Sequence, residues 1–119
     1  MNVIGSRPDG WWKDPDGAVR DLVSELGEFS VRSDEDVTVV FDRRPPGMRA
    51  GRHSGVMVGF ARERGRNAAD HEIVRRVEGD RDRASLVVVT SDRELADRIR
   101  ALGAGVEPAR RFADRLERT

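Results

Sequence analysis

Leu86-Val87-Val88-Val89-Thr90-Ser91 runs directly into Asp92-Arg93-Glu94-Leu95, and that passage decides the fold. Its apolar run, rich in β-branched residues, fits a strand covered on both faces, the kind that parallel sheets contain. Ser91 and Glu94 have the spacing of a capping box, so a helix is expected to open there, with Leu95 and Ile99 on its buried stripe. The helix is expected to run to about Leu102, and Gly103-Ala104-Gly105 ends it. Val37-Thr38-Val39-Val40-Phe41 is a second run of the same kind, closed by Asp42.

Strand and helix signals alternate through the rest of the chain. Asn2-Val3-Ile4 reads as the tail of a strand ending at Gly5, and Ser6 to Gly17 is rich in turn residues. Ala18, Leu22, Leu26 and Phe29 recur at near-helical spacing, with Val19 and Val23 widening the stripe. Arg43 to Arg52 reads as a loop around Pro45-Pro46-Gly47, Ser54 to Phe60 as a strand, and Asn67 or Ala68 to Val77 as a helix. Val106 starts a short last strand, and Pro108 suits the first turn of a C-terminal helix carrying Phe112 and Leu116. Such alternation predicts an α/β fold, a parallel sheet with helices on both faces, in one domain over residues 1–119. Ligands gather at the carboxyl ends of the strands in such sheets, where Asp42 and Asp92 both fall. A strand ending near Ile4 is too short for the sheet centre, so it is expected at an edge, unless the chain begins downstream of its natural start.

The 119 residues carry 22 basic and 22 acidic side chains, no cysteine and a single lysine, Lys13. Disulfides and thiolate metal sites are excluded. No stretch approaches a membrane span and no secretory signal opens the chain, which fits a cytoplasmic protein with no membrane partner. Charge is unevenly placed: residues 14–42 hold nine acids against two arginines. Residues 43–66 hold Arg43, Arg44, Arg49, Arg52, Arg62, Arg64 and Arg66 against Glu63 alone. That stretch is either a phosphate-binding surface or a solvated arginine-rich loop.

Asp70 lies three, four and seven residues before Ile73, Val74 and Val77, so it shares their buried helical stripe. Asp92 stands in the same relation to Leu95 and Ile99. A carboxylate on the core side of a helix needs a partner, and with no lysine nearby a divalent cation held by Asp42, Asp70 and Asp92 is a candidate. Simpler roles stay open for each: Asp92 as a helix-dipole acid, Asp42 as a turn former, Asp70 as the partner of a neighbouring arginine. No phosphate-binding Gly-x-x-x-x-Gly-Lys run occurs, and the glycine cluster follows a helix, which is wrong for a dinucleotide site. His53 and His71 without cysteine make no structural zinc site, and His71 is expected at a solvent-facing or rim position. Trp11-Trp12 follow a turn and suit either base stacking or core sealing.

Four segments together resemble the YacP-like NYN domains of the PIN-like nuclease group. They are Asn2-Val3-Ile4-Gly5-Ser6-Arg7-Pro8-Asp9-Gly10-Trp11-Trp12, Val39-Val40-Phe41-Asp42, Gly65-Arg66-Asn67-Ala68-Ala69-Asp70 and Thr90-Ser91-Asp92-Arg93-Glu94-Leu95. The resemblance implies a Rossmann-like three-layer α/β/α sandwich and metal-dependent cleavage of RNA. By that resemblance Asp42, Asp70 and Asp92 hold Mg²⁺ or Mn²⁺, Asn2 and Ser91 orient water or a phosphate oxygen, and the arginines of residues 43–66 grip the RNA backbone. It also makes the ribosome a plausible partner. The family's leading Asp-Gly is absent before Asn2, which points to a misassigned start or a degenerate paralogue. A cut-back central strand would expose a sheet edge, so a homodimer is a further expectation. Two other readings stand beside the nuclease: a non-catalytic RNA- or ribosome-binding module, and a receiver-like domain, ranked last because Lys13 comes too early.

Overall fold

β2 (Asp36–Phe41) shows why helices must cover both sides of the sheet. Val37, Val39 and Phe41 are buried in one core, whereas Val40, between two of them, is buried in the other. Successive side chains of a strand point to opposite faces, so a continuous apolar run demands two cores. The computed structural model describes residues 2–5, 15–41, 47–53, 55–62 and 67–117, with the backbone alone for 2–5 and 15–18.

The elements follow in the order β1 (Asn2–Gly5), α1 (Pro15–Ser33), β2, β3 (Gly51–His53), β4 (Val56–Phe60), α2 (Ala68–Glu78), β5 (Leu86–Val89), α3 (Arg93–Ala101), β6 (Gly105–Glu107) and α4 (Ala109–Glu117). They build one six-stranded sheet in the order β3-β4-β2-β1-β5-β6. Every pairing is parallel except that of β3 with β4. On one face, Val19, Leu22, Val23, Leu26 and Phe29 of α1 pack with Val56 and Val58 of β4 and Leu116 of α4. On the other, Ile73, Val74 and Val77 of α2 meet Leu95 and Ile99 of α3 over Leu86 and Val88 of β5. The result is the three-layer α/β/α sandwich with a mostly parallel sheet that the sequence predicts.

Three expectations need correction. β1 is not an edge strand: it lies between β2 and β5, with Asn2 opposite both Asp36 and Leu86 and Gly5 opposite Val39 and Val89. Its four residues span all of β5, which is itself only four residues long, so no bare inner edge is left along β5. β1 pairs along its whole length with both neighbours. The sheet's edges are β3 and β6, each three residues long.

The segment Arg43 to Arg52, expected to be loop, gives Gly51 to the antiparallel strand β3. His53 pairs with Val56 across a two-residue connection whose second residue, Gly55, has a φ of 83°. A positive φ at such a position is what a tight hairpin asks of glycine. Gly-Arg-His carries no alternating apolar signal, which hides the strand. Finally, the cap of α3 is Asp92 rather than Ser91: Asp92 Oδ1 accepts the Leu95 backbone N–H at 2.8 Å.

Ile73 has no exposed surface and sits at the centre of the α2–α3 core. Ile73→Ala is expected to lower unfolding stability by about 2–5 kcal/mol in urea titration, the cost of a buried cavity. A loss below about 1 kcal/mol would contradict the packing described.

Candidate metal centre at the carboxyl edge of the sheet

From β1 the chain builds outward through β2 and β4, then returns to the other side of β1 with β5 and β6. The order therefore reverses beside β1, and in open α/β sheets the crevice for ligands lies at that reversal, beyond the carboxyl ends of the strands. α2 follows β4 and α3 follows β5, so both helices start at this edge. Each contributes an acid there: Asp70 in the first turn of α2, and Asp92 as the cap of α3.

The two carboxylates sense each other. Asp70 is half-buried, and its pKa is raised above the ordinary 3.8, first by burial and then by the negative charge of Asp92, with His71 pulling weakly the other way. Among the described residues no arginine or histidine makes a salt bridge to Asp70; Arg66, the nearest arginine in sequence, and Arg64 lie outside them. Asp70 shares the α2 flank with buried Ile73, Val74 and Val77, as its spacing predicts. Asp92 is exposed rather than core-facing, because as the cap it stands just outside the helix. Only its Oδ1 is engaged, by Leu95 N–H, and its own N–H donates to Thr90 Oγ1 at 3.1 Å.

The other predicted site residues separate. Ser91 is exposed, and its Oγ accepts the Ala109 backbone N–H at 3.1 Å, tying the end of β5 to the start of α4. Asn2 opens β1 opposite Asp36 and Leu86, at the amino end of the sheet. Its backbone stands three residues, roughly 10 Å along a strand, from the carboxyl end where the sequence places its role. His71 is exposed, as expected. Arg49, Arg52 and Arg62 are exposed, and Arg52 Nη1 donates to the Gly55 carbonyl within its own hairpin. Asp42 is next in sequence after Phe41, the last residue of β2; it lies outside the described residues, as do Arg43, Arg44, Arg64, Arg66, Trp11 and Trp12. Among the described residues no three histidine, aspartate or glutamate side chains come together as a metal-holding group.

Two charged clusters escape the sequence reading. Buried Glu72 on α2 holds Arg75 and Arg76, and the i,i+3 and i,i+4 spacings were the available signal. On α4, Arg115 joins Glu35 at 2.5 Å and Glu107 at 2.7 Å over the ring of Phe29, a long-range set that no local pattern reveals.

Comparison with known proteins bears on this edge directly. The profile of the YacP-like NYN domain matches residues 2–119. The chain belongs to the YacP-like NYN domain family. Its fold is similar to that of the crystal structure of Rae1 (YacP) from Bacillus subtilis, a W164L mutant, with a TM-score of 0.74 and 22% identity over 98% of this chain and 74% of that one. No curated protein sequence matches at a significant level. Membership marks a nuclease-like, RNA-related domain, and NYN and PIN-like nuclease domains generally depend on a divalent metal. Among the described residues no helix is long and apolar enough to cross a membrane.

The residues of this NYN domain fit such an ion. Two oxygen-only side chains at the starts of different helices, one of them raised in pKa first by its burial and then by the charge of the other, suit a hard cation. The raised pKa means that the native state holds a proton at pH values where the unfolded chain has lost it, so stability falls as pH rises from 3.8 through the shifted value. With a chelator present, Asp70→Asn is therefore expected to melt above the parent at pH 7, the gap closing below pH 3.8. Melting at or below the parent at pH 7 would mean that Asp70 is not under electrostatic strain.

Proposed function

We propose that the chain is a divalent-metal-dependent endoribonuclease, with Asp70 and Asp92 holding Mg²⁺ or Mn²⁺ together with Asp42. The observation that carries this reading is the pair itself: Asp70 is lifted by burial and by Asp92, which outweigh the opposing pull of His71. A cation held there would supply a bound water of lowered pKa and would offset negative charge on the phosphoryl oxygens of the transition state. Asp92 would bring an oxygen unused by its cap, and Asp70 a carboxylate already part-desolvated on the α2 flank. Arg49, Arg52 and Arg62, with Arg43, Arg44, Arg64 and Arg66, would hold the RNA backbone, giving affinity with little sequence choice. Selection of an RNA would then fall to RNA shape or to a partner such as the ribosome, in the cytoplasm. Self-association into a homodimer belongs to the same proposal, and the shortness of the edge strands β3 and β6 works against its running through either of them.

A non-catalytic RNA- or ribosome-binding module is the second reading. It is favoured by the placement of Asn2 at the amino end of β1 and by the engagement of the Ser91 hydroxyl with Ala109. Both readings keep the basic surface; they differ in whether the acids do chemistry.

Asp92→Asn separates them without unfolding α3, since asparagine caps a helix as well as aspartate. In Mn²⁺ with a structured RNA, the substitution is expected to lower the cleavage rate by about 100-fold or more while leaving RNA affinity equal or tighter. Cleavage that persists in Asp92→Asn and still requires the metal would remove Asp92 from the site. A parent chain that binds RNA and never cuts it would favour the binding module.

A further inference from the structure

Glu72 is the single buried charged residue among the described residues, 3% exposed, and it gathers three guanidiniums. Its Oε2 accepts from Arg76 Nε at 3.0 Å and its Oε1 from Arg75 Nη1 at 3.1 Å, with Arg62 Nε 3.9 Å from Oε1. Arg62 and Arg76 both lean on this one carboxylate, which balances a single guanidinium, and two like charges drawn to the same group carry a cost that an additional anion offsets. The neighbouring strand is shaped for the arrangement: a Cβ at Gly59 of β4 would collide with the Arg76 guanidinium, which lies across that residue. Glycine here admits an arginine head group against the sheet.

Arg62 and the start of α2 both lie at the carboxyl edge of the sheet, where the cutting site is proposed. Arg62 is two residues past the carboxyl end of β4, and Glu72 is two residues past Asp70 on α2. The side chain of Arg62 is 74% exposed and that of Arg76 35%, so both remain open to a ligand from solvent. Arg76 is anchored to Glu72 through Nε, and its terminal nitrogens, which lie over Gly59, keep N–H groups in the planar geometry that suits phosphate oxygens.

We propose that Arg62 and Arg76, ordered by Glu72, bind a backbone phosphate of the RNA next to the one presented to Asp70 and Asp92. Glu72 is then a positioning residue that acts through Arg76. The assignment rests on the RNA reading above, and it adds Arg76 and Glu72 to a surface otherwise drawn from residues 43–66.

The test is binding of a fluorescently labelled single-stranded RNA in chelator, followed by anisotropy across a salt series, for the full chain, Arg62→Gln, Arg76→Gln and the exposed α3 control Arg98→Gln. Loss of one phosphate contact is expected to weaken binding about three- to ten-fold and to reduce the slope of log K against log salt by about 0.7, with Arg98→Gln unchanged. A purely structural ion pair would not move that slope. Unaltered affinity and slope in both variants overturn the proposal, as does an equal loss in Arg98→Gln, which would mean diffuse attraction. Should Arg76→Gln fail to fold, Arg62→Gln decides alone, since that side chain is mostly exposed. A full chain that binds no RNA also overturns it. Binding that shows these losses in a chain that never cleaves would keep this phosphate site and reject the nuclease reading.

Discussion

Val39 and Val40 are neighbours in sequence and both are buried, which a strand achieves only when both faces of its sheet are covered. That demand fixes much else. Parallel strands covered on both sides need crossover helices, and each crossover helix begins at the edge where the preceding strand ended. The starts of α2 and α3 are thereby brought to one edge, and whatever polar side chains stand there must share the same small volume. Asp70 and Asp92, 22 positions apart in the chain, become electrostatic neighbours for this reason.

The proposed site asks one carboxylate to serve stability and chemistry together. Asp92 stabilises α3 through a single oxygen, a contribution worth about 0.5–2 kcal/mol for a capping residue. The opposing cost falls on Asp70, which is part-desolvated and repelled by the cap. An arrangement of this sort is costly in the bare protein and relaxed by a cation, and strongly perturbed groups of this kind concentrate where function is located. Glu72, two residues along the same helix, solves its own burial in another way, by collecting arginines. Asp70 is raised by burial and by Asp92, whereas Glu72 is paired with guanidiniums.

Much of the architecture was legible because its signals are local and periodic. The runs in β2 and β5, the stripe of α1 and the Gly103 stop after α3 all follow from spacing and turn chemistry, and Asp70 shares its stripe with Ile73, Val74 and Val77 as that spacing requires. Position within the sheet was not legible: that β1 lies between β2 and β5 is held in strand pairing and not in the strand's own residues. β3 escaped because Gly51-Arg52-His53 buries no side chain fully and so leaves no apolar alternation. Ser91 and Asp92 are both good caps one residue apart, and the choice went to Asp92 once the Ser91 hydroxyl found Ala109, 18 positions away. The four residues of Arg115, Glu35, Glu107 and Phe29 meet only through the closed fold.

The claim at the centre is that the carboxyl edge beside β1 and β5 holds a divalent cation between Asp70 and Asp92. Paramagnetic broadening by Mn²⁺ reads that position directly from backbone amide signals of the metal-free chain. At substoichiometric Mn²⁺ the account predicts that the amides of Asp70, His71, Asp92 and Arg93 fade first, while those of Val37 and Leu86, at the amino end of the sheet, persist. Early loss centred on Glu35 and Glu107, or uniform loss across the chain, would place the ion elsewhere or nowhere and contradict the account.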